Sequence, residues 1–222
     1  MVVSKRIKTI ESLVPSGTRL LDVGSDHAFL PISLFLQGRI RGAVVSDVNE
    51  GPLAAGRENV ARLAPALLPL TDFVLSDGFN AVDRDSYDAA AVCGMGGELI
   101  ARIIDEAGDK ARVPLVLQPM TQADRLRSYL WEHGFEIRGE RFATEGRRPY
   151  VVIAVEYTGE NTPYSYADTY LGRLRPQGAD FSSYACKVLA AAEKRLIGAR
   201  RSGDGREIHR IEELIRETSN YF

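Results

Sequence analysis

Short apolar segments alternate with segments of helical periodicity over the first two thirds of the chain, and this alternation limits the possible folds most strongly. Five apolar runs are predicted strands: Arg19–Val23, Ala43–Ser46, Asp72–Ser76, Ala89–Val92 and Leu115–Leu117. Predicted helices lie between them, at Leu30–Gln37, Pro52–Leu63, Glu98–Glu106 and Gln122–His133. Short strands that are apolar throughout are buried on both faces, and helical crossovers join parallel strands. The pattern therefore predicts an α/β fold with a parallel sheet between two helical layers.

The pattern changes after the fifth predicted strand. Phe135–Arg141 and Tyr150–Tyr157 are two further predicted strands, separated only by a loop over Phe142–Pro149. A connection this short cannot carry a parallel crossover. We therefore expect an antiparallel pair that closes one edge of the sheet.

The last quarter of the chain has helical periodicity only. After a break at Thr158–Pro163, apolar residues recur at steps of three and four on both sides of the turn Ser202–Gly205. This spacing predicts two helices that form an antiparallel hairpin. We expect one α/β domain over residues 1–158 and a C-terminal helical, coiled-coil-like domain over residues 159–222.

Charge and cysteine content exclude several classes of protein. The 28 basic and 30 acidic residues give a net charge of −2, which excludes a strongly basic nucleic-acid coat but not a local basic face. Cys93 and Cys186 form neither a disulfide framework nor a metal-ligand pattern, so no metal is expected. The charged start is no signal peptide, and no run approaches the roughly 18 apolar residues of a membrane span. We expect a cytoplasmic protein without a membrane partner.

Small and polar residues follow each predicted parallel strand directly. The carboxyl ends of parallel strands meet at one edge of an open sheet, and ligands bind there. The residues in question are Gly24, Ser25 and Asp26, then Asp47, then Asp77 and Gly78, then Gly94–Gly97, and finally Gln118 and Pro119. The sequence thus predicts a ligand crevice along this edge.

The acidic residues among them discriminate between two cofactor classes. A dinucleotide site needs three spaced glycines around the pyrophosphate, but Asp22–His27 has one glycine and an acid, Asp26, at that place. A carboxylate repels phosphate and attracts the amine or sulfonium of S-adenosylmethionine. Asp47 is placed to accept hydrogen bonds from ribose hydroxyls, and Asp77 from the adenine amino group. The series favours S-adenosylmethionine over NAD.

Several of these blocks together resemble the TrmK family, bacterial methyltransferases that modify N1 of adenosine 22 in tRNA. They are Ser4-Lys5-Arg6, Asp22–Ala28 with Leu30-Pro31, Asp47 with Gly51-Pro52, Asp77-Gly78, Gly94–Gly97 and Leu117-Gln118-Pro119. The resemblance covers about residues 1–158 and extends into the helical tail, which that family also carries. Phe29, Met120 and Asp47 depart from the family's usual tyrosine, asparagine and glutamate. Phe29 and Met120 concern the acceptor side. Aspartate in place of glutamate at position 47 still provides a carboxylate that can bind the ribose.

The resemblance implies a Rossmann-like class I S-adenosylmethionine-dependent methyltransferase sheet with a C-terminal α-helical hairpin, acting on tRNA. His27 is the expected proton acceptor or base-aligning residue, and the Gln118 amide is expected to read the adenine edge. The expected cofactor-binding residues are Gly24, Ser25, Asp26, Asp47, Val48, Asp77, Gly78, Gly94 and Met95. The expected tRNA-binding residues are Lys5, Arg6, Arg125, Arg147, Lys187, Lys194 and Arg195.

Two other hypotheses for the function stay open. One is a methyltransferase for a small molecule, in which the helical tail is a lid or a dimer element. The other is a nucleotide-binding sensor without catalysis. The basic residues of the tail also fit an ordinary solvated helix face. No obligate protein partner is inferred, and we expect a monomer or a weak dimer.

Overall fold

Seven strands form one mixed sheet in the computed structural model, which describes residues 4–25, 27–175 and 178–222. The strands are β1 (Thr18–Val23), β2 (Ile40–Asp47), β3 (Thr71–Leu75), β4 (Ala89–Gly96), β5 (Leu115–Thr121), β6 (Phe135–Glu145) and β7 (Arg148–Tyr157). Their order is β3-β2-β1-β4-β5-β7-β6, and the first five are parallel. The predicted α/β fold with a parallel sheet is confirmed.

Eight α-helices accompany the sheet in the described residues. They are α1 (Lys5–Glu11), α2 (Phe29–Leu36), α3 (Glu50–Leu63), α4 (Gly97–Ala107), α5 (Ala123–Glu132), α6 (Tyr166–Leu171), α7 (Ala179–Ser202) and α8 (Gly205–Ser219). No helix of this set is both long enough and apolar enough to cross a membrane.

The central strands are apolar on both faces because helices cover both faces. On one face, Leu20, Ala89 and Val116 pack with Ile10 of α1 and Leu34 of α2. On the other face, alternate residues of the same strands pack with α4–α8; these include Leu21, Ala90, Leu115 and Leu117. Strand side chains alternate between faces, so near-continuous apolar runs are required in this setting.

The antiparallel edge is confirmed, but its connection is shorter than the predicted loop over Phe142–Pro149. β7 pairs antiparallel with both β5 and β6, and the β6–β7 pairing continues to Glu145 and Arg148. Only Gly146 and Arg147 remain in the turn. Gly146 has a φ of +59°, which a tight hairpin turn needs and glycine adopts without strain. The polar residues around this turn resemble a loop in sequence, although they are paired in the sheet.

The tail contains the predicted hairpin, α7 with α8, and also the unpredicted helix α6. The Ser165 hydroxyl accepts a hydrogen bond from the Asp168 backbone N–H, and the Asp168 carboxylate accepts one from the Ser165 N–H. This capping box, Ser-x-x-Asp, is the sequence signal that could have predicted α6.

Apolar residues of the tail belong to the same core as the sheet. Phe181, Tyr184, Ile211 and Leu214 are buried in one cluster with Leu117 of β5. The helices after residue 158 therefore pack on the face that α4 and α5 also cover. A separate domain over residues 159–222 stays a prediction.

Candidate active site

The carboxyl ends of β1–β4 and the first turns of α4 surround a cavity of about 330 Å³, which we call the strand-end cavity. Six of the nine expected cofactor-binding residues line it: Gly24, Asp47, Val48, Asp77, Gly78 and Met95. Ser76, Leu99, Arg102 and Ile103 complete the wall. The three residues from α4, Leu99, Arg102 and Ile103, were not among the expected site residues, although their spacing places them on one helix face. Asp26 lies outside the described residues.

Gly24 follows β1 directly and lies against the Met95 side chain of β4. Its φ of +71° is the backbone conformation that favours glycine. A Cβ atom added there would lie 2.1 Å from Cε of Met95, so a larger residue would displace the end of that side chain. The Gly24 N–H donates to the Ser46 carbonyl oxygen at 2.8 Å, which fixes the loop against β2. The Met95 side chain consequently crosses from β4 to the mouth of the β1 loop.

Two carboxylates and one guanidinium, that of Arg102, line the strand-end cavity, and Arg102 lies 3.8 Å from Glu106 of the same helix. Asp47 Oδ1 accepts a hydrogen bond from the Asn49 backbone N–H at 2.8 Å, which orients the half-buried carboxylate, and Asp77 is exposed at the rim. An ionised carboxylate is an acceptor only, so these groups suit hydroxyl and amine donors and repel phosphate. Val48, Leu99 and Ile103 add apolar wall. These acceptors and apolar walls fit the ribose hydroxyls, the amino groups and the adenine ring of S-adenosylmethionine.

Asp22 is a buried residue near the end of β1, and Ser25 is in the loop that follows β1. Neither residue lines the strand-end cavity. The Ser25 hydroxyl accepts a hydrogen bond from the Ala28 N–H at 3.1 Å. Asp22 is buried, and burial raises the pKa of its carboxyl to about 6, although the Ser25 hydroxyl opposes this shift. A carboxyl group in these surroundings is costly to ionise.

Asp22→Asn should change how stability depends on pH. The raised pKa means that the folded state binds more protons than the unfolded state between pH 3.8 and about 6, so Asp22 destabilises the protein as pH rises through that window. The substitution should therefore stabilise the protein by about 2 kcal/mol more at pH 7.5 than at pH 4.5. Urea unfolding of both proteins at the two pH values measures this difference. Parallel pH profiles of the two proteins would contradict it.

Gln118 lies beyond the strand-end cavity, in the middle of β5, which continues to Thr121 past the predicted strand end at Leu117, and its amide is engaged within the protein. Its Oε1 accepts from Arg6 Nη1 at 2.9 Å, and its Nε2 donates to the Pro119 carbonyl oxygen at 3.0 Å. The side chain is fully buried. Arg6 Nη1 also lies 3.9 Å from the Cβ position of Gly94. Arg6 thus points into the crevice from α1, next to the expected acceptor position, and Gln118 holds it there.

His27 lies between β1 and α2. Its exposed ring is 5.3 Å from that of Phe29, centroid to centroid, and its backbone carbonyl accepts from Asn59 Nδ2 at 3.2 Å. β4 lies between β1 and β5, the strand that carries Gln118, and two strand spacings are about 10 Å. The catalytic roles of both residues stay predictions.

The comparisons with known proteins agree with this geometry. The sequence model of the family described as "Methyltransferase domain" matches residues 3–153. The tRNA (adenine(22)-N(1))-methyltransferase of Bacillus subtilis is 29% identical over 173 residues, which is 77% of this chain and 72% of that protein. A Streptococcus pneumoniae protein assigned to the same tRNA methyltransferases has a structure with S-adenosyl-L-methionine. It is 34% identical, with a TM-score of 0.79 over 96% of this chain and 100% of that one.

The chain belongs to the TrmK family of methyltransferases. The structure of Mycoplasma capricolum TrmK, in complex with S-adenosyl-homocysteine, is 21% identical with a TM-score of 0.78 over 100% of this chain and 98% of that one. At this identity the likeness shows the fold alone. It covers the helical tail as well as the sheet, so α6–α8 have counterparts in the TrmK fold.

Four of the basic residues that the TrmK resemblance singled out are engaged in contacts within the protein. Arg6 faces Gln118, and Lys5 pairs with Asp180 at 2.7 Å. Arg195 pairs with Glu207 and donates to the Tyr166 and Tyr170 hydroxyls, which ties α7 to α6 and α8. Arg125 lies 3.9 Å from Glu98. For Arg195, these bonds indicate a structural role in the tail.

Other basic residues are exposed on α7 and on the β6–β7 hairpin. Lys187, Lys194 and Arg201 are exposed, lie seven residues apart on one face of α7, and have no acidic partner within the described part of the chain. We call these three residues the basic stripe. Lys187 also lines a groove of about 510 Å³ with Arg147 and Arg148 of the β6–β7 hairpin. The packing of the β6–β7 hairpin against α7 is what brings Arg147 and Arg148 to Lys187.

Proposed function

We propose that this protein transfers a methyl group from S-adenosylmethionine to N1 of adenosine 22 in tRNA. The observation that carries the proposal is the carboxylate-lined strand-end cavity, in a chain 34% identical to a tRNA methyltransferase whose structure holds that cofactor. The reaction takes place in the cytoplasm, and the enzyme acts as a monomer or weak dimer without a partner protein.

The strand-end cavity binds the cofactor. Asp47 accepts hydrogen bonds from the ribose hydroxyls, and Asp77 accepts one from the adenine amino group, with Val48 and Ile103 against the ring. Gly78 has a φ of +56°, and a Cβ atom there would lie 3.0 Å from Ile103, so glycine lets this loop pack closely against the cavity wall. When bound, S-adenosylmethionine supplies a methyl group on a positively charged sulfur.

The acceptor base lies at the end of β4, between the strand-end cavity and Arg6. Gly94 is exposed and Gly96 carries no side chain, so a flat base can approach the methyl donor there. Adenine N1 has its own lone pair, and in-line positioning supplies most of the acceleration. Because N1 is on the Watson–Crick edge, the base must be unpaired or drawn out of its stack. Arg6, held by Gln118, orients it.

Methyl transfer to matched tRNA transcripts tests the proposal. One unmodified transcript carries adenosine at position 22 and its twin carries guanosine there, with labelled S-adenosylmethionine as donor. We expect label in the first transcript only, recovered as 1-methyladenosine by mass spectrometry. Label in neither transcript, with cofactor binding intact, would contradict the proposal in favour of a small-molecule substrate or a sensor.

Asp47→Ala should weaken S-adenosylmethionine binding by about 1–3 kcal/mol, because hydrogen bonds to a charged acceptor are lost. Titration calorimetry measures the change. The matched control is Asp109→Ala, since Asp109 is an exposed carboxylate at the amino edge of the sheet, just before β5. Equal affinity of the two variants would remove Asp47 from the ribose role.

A further inference from the structure

We propose that a second cavity, beside the strand-end cavity, binds a nucleobase that neighbours the methylated adenosine in the tRNA; this rests on the proposed function. The cavity measures about 220 Å³ and lies between the end of β5, the start of β7, the first turn of α5, and α6 and α7. Tyr150, Tyr170 and Tyr184 are part of its lining, so we call it the tyrosine cavity.

The tyrosine cavity opens at the same edge of the sheet as the reaction centre. Thr121 and Gln122 line it, and they lie 3.4 and 3.5 Å from the Cβ position of Gly96. Met95, one residue earlier, lines the strand-end cavity. The end of β4 thus separates the two cavities. A base in the tyrosine cavity is therefore next to the methyl donor but not in contact with it, as a flanking base would be.

The walls suit a planar, uncharged ring. Besides the three tyrosines, Pro119, Pro149 and Val188 are apolar and buried. The Tyr170 hydroxyl bonds to Arg195 and the Tyr184 hydroxyl accepts from Arg127 at 3.4 Å, so both rings are held in place before a ligand arrives. Aromatic side chains bind unstacked bases in this manner, without sequence preference.

The groove beside the tyrosine cavity is basic and suits a polyanion. Lys187 lines both the cavity and this groove, which also contains Arg147 and Arg148, whereas Asp124 of α5 is the acidic residue of the cavity lining. A nucleotide whose base enters the cavity places its phosphate near Lys187, and the next phosphates lie along that groove or along the basic stripe. An uncharged small molecule would not interact with the groove in this way.

Filling the cavity from α7 tests the inference with a matched control. Ala190 and Ala191 are adjacent, exposed and helical, but only Ala191 lines the cavity. We expect Ala191→Trp to raise KM for tRNA at least tenfold and to leave S-adenosylmethionine affinity and the thermal midpoint unchanged. Ala190→Trp should stay within twofold of wild type in all three quantities.

Abasic transcripts identify the occupant. Removal of the base at position 21 or at position 23 should lower wild-type kcat/KM at least tenfold for one of the two transcripts, and Ala191→Trp should abolish that difference. Equal behaviour of the two tryptophan variants, or the same abasic penalty in wild type and Ala191→Trp, would overturn the inference while the proposed function stands. Absence of label on the intact transcript with the wild-type enzyme would overturn both.

Discussion

Arg127→Ala should lower the free energy of unfolding by about 3–5 kcal/mol, because it leaves a buried carboxylate without its cation. Arg127 Nε donates to Glu140 Oε1 at 2.8 Å, and neither side chain is exposed to solvent. Burial raises the pKa of Glu140, and the Arg127 guanidinium opposes that shift. Urea unfolding at pH 7.5 measures the loss.

The same substitution should also loosen the helical tail. Arg127 Nη1 donates to the Thr169 and Tyr170 carbonyl oxygens at 2.8 and 3.1 Å, so one side chain of α5 holds the end of α6. Gly172 is the first residue after α6, and a Cβ atom there would lie 1.9 Å from Glu140 Oε2, so the end of α6 also packs against Glu140. Amide hydrogen exchange in α6 should therefore accelerate in the variant more than exchange in β1 or β4.

Two controls distinguish the buried pair from charge effects in general. Arg138→Ala removes an exposed arginine of β6 that pairs with Glu136 and Glu156, and it should cost less than about 1 kcal/mol. Arg127→Met combined with Glu140→Leu should recover much of the loss, since no unpaired charge is then buried. If Arg127→Ala lowered the free energy of unfolding no more than Arg138→Ala does, the Arg127–Glu140 pair would not anchor the tail.

Reversing the charge of the three residues of the basic stripe should weaken tRNA binding about 100-fold. This corresponds to about 1 kcal/mol for each of three lost phosphate contacts. The variant is Lys187→Glu, Lys194→Glu and Arg201→Glu together. These residues are exposed and unpaired in the described part of the chain, so the fold and the strand-end cavity should be unaffected. Filter binding at 0.15 M salt measures the loss, and calorimetry with S-adenosylmethionine confirms an intact cofactor site.

The matched control carries the same change in net charge at the opposite edge of the sheet. Arg41 is the second residue of β2, Arg112 precedes β5 and Arg62 is the residue before the last of α3, and all three are exposed. Arg41 and Arg112 pair with the exposed carboxylates of Asp88 and Asp109, so the thermal midpoint of this variant is measured as well. Reversing them should leave the affinity within about threefold. The slope of log affinity against log salt should fall by about 2–3 in the stripe variant only. A similar loss in both variants would show that net charge, rather than this surface, governs binding.

Much of the site was predictable because strand ends are a local property of the sequence. Gly24, Asp47, Asp77 and Met95 each follow or end an apolar run, and parallel topology alone brings such residues to one edge. Residues that enter the site through distant packing were not predictable in the same way. Arg6 reaches Gln118 across 112 positions, and its basic side chain had suggested a surface contact with tRNA.

The helical tail illustrates the same limit. Its periodicity predicted α7 and α8, but nothing in the periodicity distinguishes Arg195, which pairs with Glu207, from Lys194, which faces solvent. One residue along a helix turns a side chain by about 100°, and only the position of the neighbouring helix decides which of the two is engaged. The tyrosine cavity likewise requires β5, β7 and α7 in contact.

Local patterns in the sequence are enough to predict the α/β class, the strand-end crevice, the preference for a cofactor with amine and hydroxyl donors, and the helical hairpin. These features follow from the periodicities of strands and helices and from the residue that ends each strand, which are properties of a few neighbouring positions. Three outcomes depend on packing instead: Arg127 joins the tail to the sheet, Arg6 donates to Gln118, and some basic residues are paired while others are not. Those outcomes depend on contacts between segments far apart in the chain, whose distances no local pattern specifies.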